Sequence, residues 1–164
     1  MASFNTIDFK NKRALVRVDF NVPLNQNKEV TDDSRITAAL PTIQHIIKKG
    51  GSVVLMSHLG RPDGQIKTEY SLLPVASYLS QLLEKEVIFG DDCVGKDVFA
   101  LSKSLKPGQV LLLENLRFHP EEKAGDEFFA GQLAENGDVY VNDAFGSAHR
   151  AHASTAVIAK FFPE

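Results

Sequence analysis

The 164 residues contain six arginines and twelve lysines, and the two types are distributed differently. The lysines scatter through segments that read as turns and helix surfaces, where a solvated face explains them. Five of the six arginines lie in or just beyond runs that read as strands, or at the start of the first helical pattern: Arg17, Arg35, Arg61, Arg117 and Arg150. In an open parallel sheet the strand ends share one edge, and ligands bind there. Guanidinium groups converging on that edge repel one another unless an anion lies between them. The planar fork of arginine matches phosphate or carboxylate oxygens in a way that lysine does not. The implied ligand is a small, highly charged molecule carrying phosphate or carboxylate. Local pairing is the competing explanation: Arg17 with Asp19, Arg35 with Asp32 or Asp33, Arg61 with Asp63. It accounts for any one arginine more readily than for all five. Asp19 and Asn21 suit a ligand that also carries hydroxyls, since a carboxylate accepts hydrogen bonds that arginine cannot.

The elements that must position these side chains alternate along the chain. Arg13–Val18, Ser52–Ser57, Val87–Phe89, Val110–Leu113 and Asp138–Asn142 are short and mostly apolar, as expected for strands covered on both faces. Between them, Ile36, Ala39, Leu40, Ile43 and Ile47 recur at helical spacing, with Gly50-Gly51 as the stop. Pro41 inside that pattern predicts a kink, or a helix that begins in earnest near it. Ser71 is a candidate N-cap for a helix carrying Leu72, Val75, Ala76, Leu79 and Leu83. Weaker helical patterns cover Val94–Ser104, Gly125–Asn136 and Ser154–Phe161. This alternation predicts an α/β fold: a three-layer, Rossmann-like open parallel sheet with right-handed crossovers and helices on both faces, in a single domain.

Composition narrows the function classes. Hydrophobic residues at 43% and charged residues at 24% are ordinary globular values, and a net charge of -3 offers no attraction to nucleic acid or an anionic membrane. Cys93 is the only cysteine, so no intrachain disulfide forms, and a reducing, cytoplasmic setting is expected. The first thirteen residues lack the apolar core of a secretory signal, and no apolar run approaches the length of a bilayer span.

Other chemistry-bearing patterns are weaker. Gly90–Asp97 follows a strand and nearly reads as a phosphate loop, GxxxxGK[ST], but Asp97 stands where a hydroxyl should reach magnesium. Asp91 and Asp92 would put negative charge where phosphates must sit. No GxGxxG or G-x-S-x-G occurs. His149 and His152, with Asp143 upstream, could be imagined as metal ligands, yet Arg150 between the histidines makes a cation unwelcome, and no metal site is expected. Further donors to an anion, or plain loop histidines, are the better readings. Cys93 reads as a buried, inert thiol.

Four segments, in order, carry a resemblance over the whole chain. Arg17-Val18-Asp19-Phe20-Asn21-Val22-Pro23 resembles the signature of the phosphoglycerate kinases. Ser57–Pro62, Glu114–Phe118 and Asn142–His152 are similar to further blocks of that family; just before the signature, Ala14 stands where valine is more usual. The resemblance implies reversible phosphoryl transfer from 1,3-bisphosphoglycerate to ADP, giving 3-phosphoglycerate and ATP, with hinge closure between two domains. It implies that residues 1–164 are the amino-terminal, 3-phosphoglycerate-binding domain, and that Mg-ATP or Mg-ADP belongs to a carboxy-terminal domain not matched here. It implies substrate contacts at Asp19, Phe20, Asn21, Arg35, His58, Leu59, Gly60, Arg61, Arg117 and Arg150, with Arg17, His149 and His152 completing a basic patch. Arg35 corresponds to the arginine that stabilises the phosphoryl group in flight. The expectation is a monomer that binds 3-phosphoglycerate without turnover and holds no cofactor of its own.

Overall fold

The computed structural model describes residues 6–144 and 152–162. Five strands form one parallel sheet: β1 (Arg13–Val18), β2 (Ser52–Met56), β3 (Val87–Gly90), β4 (Val110–Leu113) and β5 (Val139–Asp143). Their order across the sheet is β3-β4-β2-β1-β5. From β1 the chain steps one way through β2 to β3, then reverses through β4 and crosses to β5. Right-handed crossovers put the connections before and after such a reversal on opposite faces, and the core divides accordingly.

On one face α1 (Ser34–Lys48) and α2 (Leu73–Leu83) pack Ile36, Ile43, Ile46, Val75 and Leu79 against Ala14, Val16, Val53, Leu55 and Leu112. On the other, α3 (Lys96–Lys103) and α5 (Glu127–Ala134) pack Val98, Phe129 and Leu133 against Leu15, Val54, Met56 and Leu111. Alternate residues of each strand feed the two layers, as the two-residue period of a strand requires. Both faces being covered explains why Val53–Met56 and Val110–Leu113 read as unbroken apolar runs, and why β1 beyond Arg13 is interrupted only by the buried Arg17.

The local departures from the sequence reading have physical causes. The first helix begins at Ser34 and runs through Pro41 without interruption. The second begins at Leu73 with Leu72 rather than Ser71 at its N-cap; Ser71 Oγ accepts the Leu73 N–H at 3.2 Å, and Glu114 accepts the Leu72 N–H through Oε1 at 2.8 Å and the Ser71 hydroxyl through Oε2 at 2.7 Å. The helix expected over Gly125–Asn136 is α5, and a further short helix, α4 (Pro120–Ala124), which the sequence reading did not expect, precedes it. Gly125 breaks them with φ +65°, and Asp126 caps α5 by accepting the Phe129 N–H at 2.8 Å. The last segment is a 3-10 turn, Val157–Phe161. Among the described residues no helix is long and apolar enough to cross a membrane.

Candidate functional site at the carboxyl edge of the sheet

The loops leaving β1, β2 and β4 meet at the carboxyl edge of the sheet and are stitched to one another by side-chain-to-backbone bonds. After β1, Phe20 is fully buried and anchors its loop, its N–H donating to Ser57 Oγ at 2.9 Å. Asp19 Oδ1 accepts the Asn21 N–H at 3.1 Å, folding the loop on itself. Arg35, at the start of α1, donates through Nη1 to the Asn21 carbonyl at 2.6 Å and lies 3.4 Å from Asp19 Oδ1. Half of the Arg35 side chain is exposed, at 51%. Its acidic neighbours in sequence have other partners: Asp32 accepts the Ser34 N–H, and Asp33 accepts the Tyr78 hydroxyl at 2.6 Å.

Asn21 Oδ1 then reaches the second loop, accepting the Gly60 N–H at 2.8 Å. Its amide oxygen is engaged, so what Asn21 offers a ligand is its NH2 group. Gly60 sits at φ +64°, and a Cβ there would lie 2.4 Å from the Tyr70 ring. Only glycine fits this turn, which leads into exposed Arg61.

The third loop is organised by Asn115, which is buried. Its Nδ2 donates to the carbonyls of Leu59, at 2.8 Å, and Tyr70, at 2.9 Å. Its Oδ1 accepts the Arg117 N–H at 2.9 Å and starts a 3-10 turn, Leu116–Phe118. The Arg117 carbonyl in turn accepts the Gly64 N–H at 3.0 Å. One amide side chain therefore holds the loops bearing Arg61 and Arg117 in fixed relation.

Arg61 and Arg117 line one open cleft of about 610 Å³, together with His119 and Lys123 and with Asp63 as its acidic member. Three permanent cations against one carboxylate give a net positive cleft suited to a small anion. Arg61 and Asp63 share this lining but are not ion-paired with each other. Lys123 and His119 were not singled out by sequence. The signal available was their position three residues apart or fewer from Pro120, which begins the short α4 directly after the Arg117 turn.

His119 Nε2 lies 2.7 Å from Asp92 Oδ1. The hydrogen bond to Asp92 holds the His119 pKa above its ordinary value, against burial. For Asp92, burial pushes upward, but the bonds from His119 and the Cys93 N–H outweigh it and hold the carboxyl below its usual range. Asp92, Cys93 and His119 offer ligand-type atoms all within 4.8 Å of one another. Burial, with the negative charges of Asp92 and Glu122, pushes the Cys93 thiol well above its usual pKa, so it stays protonated and inert.

Arg17 differs from the other arginines of the group. It is fully buried in β1, bonded to Ser154 Oγ at 3.0 Å, to His58 Nδ1 at 3.0 Å and to the Val18 carbonyl. His58, Leu59 and His152 are also buried. His149 and Arg150 lie outside the described residues. Arg13, the sixth arginine, pairs with Asp138 at the opposite end of β1.

The family model described as phosphoglycerate kinase matches residues 4–164. A phosphoglycerate kinase of Moorella thermoacetica is 59% identical over 157 residues, covering 96% of this chain and 40% of that protein. One from Anaeromyxobacter dehalogenans is 57% identical over 166 residues, covering 100% and 42%. Among solved structures, phosphoglycerate kinase from Pyrococcus horikoshii superimposes with a TM-score of 0.89 at 34% identity, covering 99% of this chain and 41% of that one. The Coxiella burnetii enzyme gives 0.85 at 40% identity, covering 96% and 39%. The chain thus spans about 40% of the length of the curated relatives it matches. With family match, sequence identity and backbone all in agreement from one end of the chain to the other, it belongs to the phosphoglycerate kinase family.

Proposed function

We propose that residues 1–164 form the domain that holds 3-phosphoglycerate or 1,3-bisphosphoglycerate for phosphoryl exchange with a nucleotide, and that the nucleotide is bound by a second, carboxy-terminal domain. The observation that carries this reading is the cleft in which Arg61, Arg117 and Lys123 face one another beside loops fixed by Asn21 and Asn115. On this reading Arg61 and Arg117, which line the cleft, bind the resting anion together with Arg150, while Asp19, Asn21 and His58 meet its hydroxyl and carboxylate and Phe20, Leu59 and Gly60 contribute backbone contacts. His149 and His152 contribute further donors.

Arg35 has a different part. Its Nη1 is held by the Asn21 carbonyl while half its side chain is exposed, so it presents fixed positive charge at the rim rather than the floor. That suits a group in transit between donor and acceptor, where preorganised charge lowers the barrier.

The segment Gly90–Asp97, the one near-match to a phosphate loop, does not fit magnesium nucleotide. In the segment Gly90–Asp97, Asp92 is committed to His119 and to the Cys93 N–H, and Asp97 replaces the metal-reaching hydroxyl. Phosphoryl transfer by this chain alone is therefore not expected, and the accompanying reading is a cytoplasmic monomer that binds without turnover. The test is to supply the nucleotide-binding half of a relative in trans and assay ATP-dependent formation of 1,3-bisphosphoglycerate. Activity dependent on both pieces, and lost with Arg35→Ala, supports the proposal; turnover by the 164-residue chain alone refutes it.

A further inference from the structure

Arg17 is the largest fully buried side chain among the described residues and lies in β1, between β2 and β5. A guanidinium has donors only and keeps its proton in proteins. Its contact with His58, Nη2 to Nδ1 at 3.0 Å, is therefore a bond in which Nδ1 accepts. A proton on Nδ1 would point at the guanidinium N–H, and a doubly protonated ring would set two cations against each other in a buried site. The single ring proton must then sit on Nε2.

We propose that Arg17 is a positioning residue that fixes His58 as its neutral Nε2–H tautomer, so that His58 serves the ligand as a hydrogen-bond donor while Arg17 itself touches no ligand. The surroundings of Arg17 are built for that task. Its Nε donates to Ser154 Oγ at 3.0 Å, and the Ser154 hydroxyl passes the interaction on to Glu122 Oε2. Glu122 Oε1 accepts the Ser154 N–H at 2.9 Å, and Tyr140 OH donates to the Ser154 carbonyl at 2.7 Å. With Nη1 on the Val18 carbonyl, the guanidinium is held at all three nitrogens and cannot swing toward the cleft. Glu122 is itself fully buried, so the chain Glu122–Ser154–Arg17–His58 runs from the α4 side of the core to the second site loop. It follows that attraction for the anion comes from Arg61, Arg117 and Lys123, while His58 adds direction rather than charge.

The ligand served is that of the proposed function, and the inference rests on that reading; the tautomer does not, and the two are measured separately. Long-range proton–nitrogen correlation of 15N-labelled histidine in the unliganded chain reads the ring directly. An unprotonated Nδ1 and a protonated Nε2 are expected for His58; a proton on Nδ1, or on both nitrogens, overturns the proposal. Arg17→Met, alone and with Glu122→Gln to avoid stranding a buried carboxylate, should return the ring to a mixture of tautomers. It should also weaken 3-phosphoglycerate binding about tenfold, the effect of one charged hydrogen bond. Glutamine at position 58 offers an amide donor near the place of Nε2 without needing a tautomer. In a His58→Gln background, Arg17→Met should therefore cost less than about twofold further, since no ring is left to set. A full tenfold loss in that background shows that Arg17 acts otherwise and refutes the positioning role. If the wild-type chain binds no 3-phosphoglycerate while the ring spectrum is as expected, the function claimed for the tautomer falls with the triose-acid reading.

Discussion

Replacing Asn115 by alanine removes three hydrogen bonds at once, those to the carbonyls of Leu59 and Tyr70 and from the Arg117 N–H. Asn115 is only 1% exposed, so water does not readily replace what is lost. At about 0.5–1.5 kcal/mol per bond, the three together are worth roughly 1.5–4.5 kcal/mol of stability, with the upper half favoured where partners stay buried and unpaired. Asn115→Asp should be as damaging or worse, because it turns the donor that faces two carbonyls into another acceptor. The loops carrying Arg61 and Arg117 would lose their common tether, so affinity for 3-phosphoglycerate should fall along with stability. Urea unfolding followed by circular dichroism gives the first number, and calorimetry on the folded fraction gives the second. A stability loss below about 0.5 kcal/mol, with binding unchanged, would show that Asn115 does not organise this edge.

Arg61→Ala and Arg117→Ala should each weaken 3-phosphoglycerate binding by about 1.5–3 kcal/mol, the range for a charged hydrogen bond, as measured by calorimetry. Arg35→Ala should weaken it less, and in a reassembled two-domain enzyme should instead lower kcat on the order of 10²–10³-fold; abolished binding in Arg35→Ala would reverse this assignment. Gly60→Ala should be destabilising and impair binding, since a Cβ would meet the Tyr70 ring at 2.4 Å in a left-handed backbone; thermal unfolding equal to wild type contradicts it. The raised His119 pKa contributes stability fully below 6.5, lost as pH rises through the folded value, and the lowered Asp92 pKa contributes fully above 3.8, lost as pH falls through its folded value. The stability difference between wild type and His119→Gln should therefore be greatest between pH 3.8 and 6.5, and no more than about 1 kcal/mol because Asp92 is half exposed. A difference that grows above pH 7 would contradict that sign.

The sheet was readable because its central strands are largely apolar on both faces, and all five expected strands agree with the structure to within one residue at each end. The α4 helix was not, since Pro120–Ala124 carries no apolar period, and its buried member is the carboxylate Glu122. Arg17 shows a second limit. Its neighbours in sequence suggested the ligand edge, but the two-residue alternation of β1 turns it into the same layer as Leu15, where Ser154, 137 positions away, receives it. No local pattern carries that distant partner. That Arg61 and Arg117 share one cleft was legible because strand ends are visible in sequence, whereas the part played by Asn115 depends on the carbonyls of Leu59 and Tyr70, which sequence does not bring near it.

The proposed function requires this domain to bind a phosphorylated triose acid at the carboxyl edge of its sheet and not to bind nucleotide. The most direct measurement is a pair of amide-shift titrations of the 15N-labelled chain, one with 3-phosphoglycerate and one with Mg-ATP. Saturable shifts with 3-phosphoglycerate are expected, concentrated near Asp19, Asn21, Gly60, Arg61 and Arg117 and weakening as salt rises over a screening length of ~8 Å at physiological ionic strength, with no saturable response to Mg-ATP. Saturation by Mg-ATP centred on Gly90–Asp97, or shifts from 3-phosphoglycerate that leave the Arg61–Arg117 cleft untouched, would contradict it.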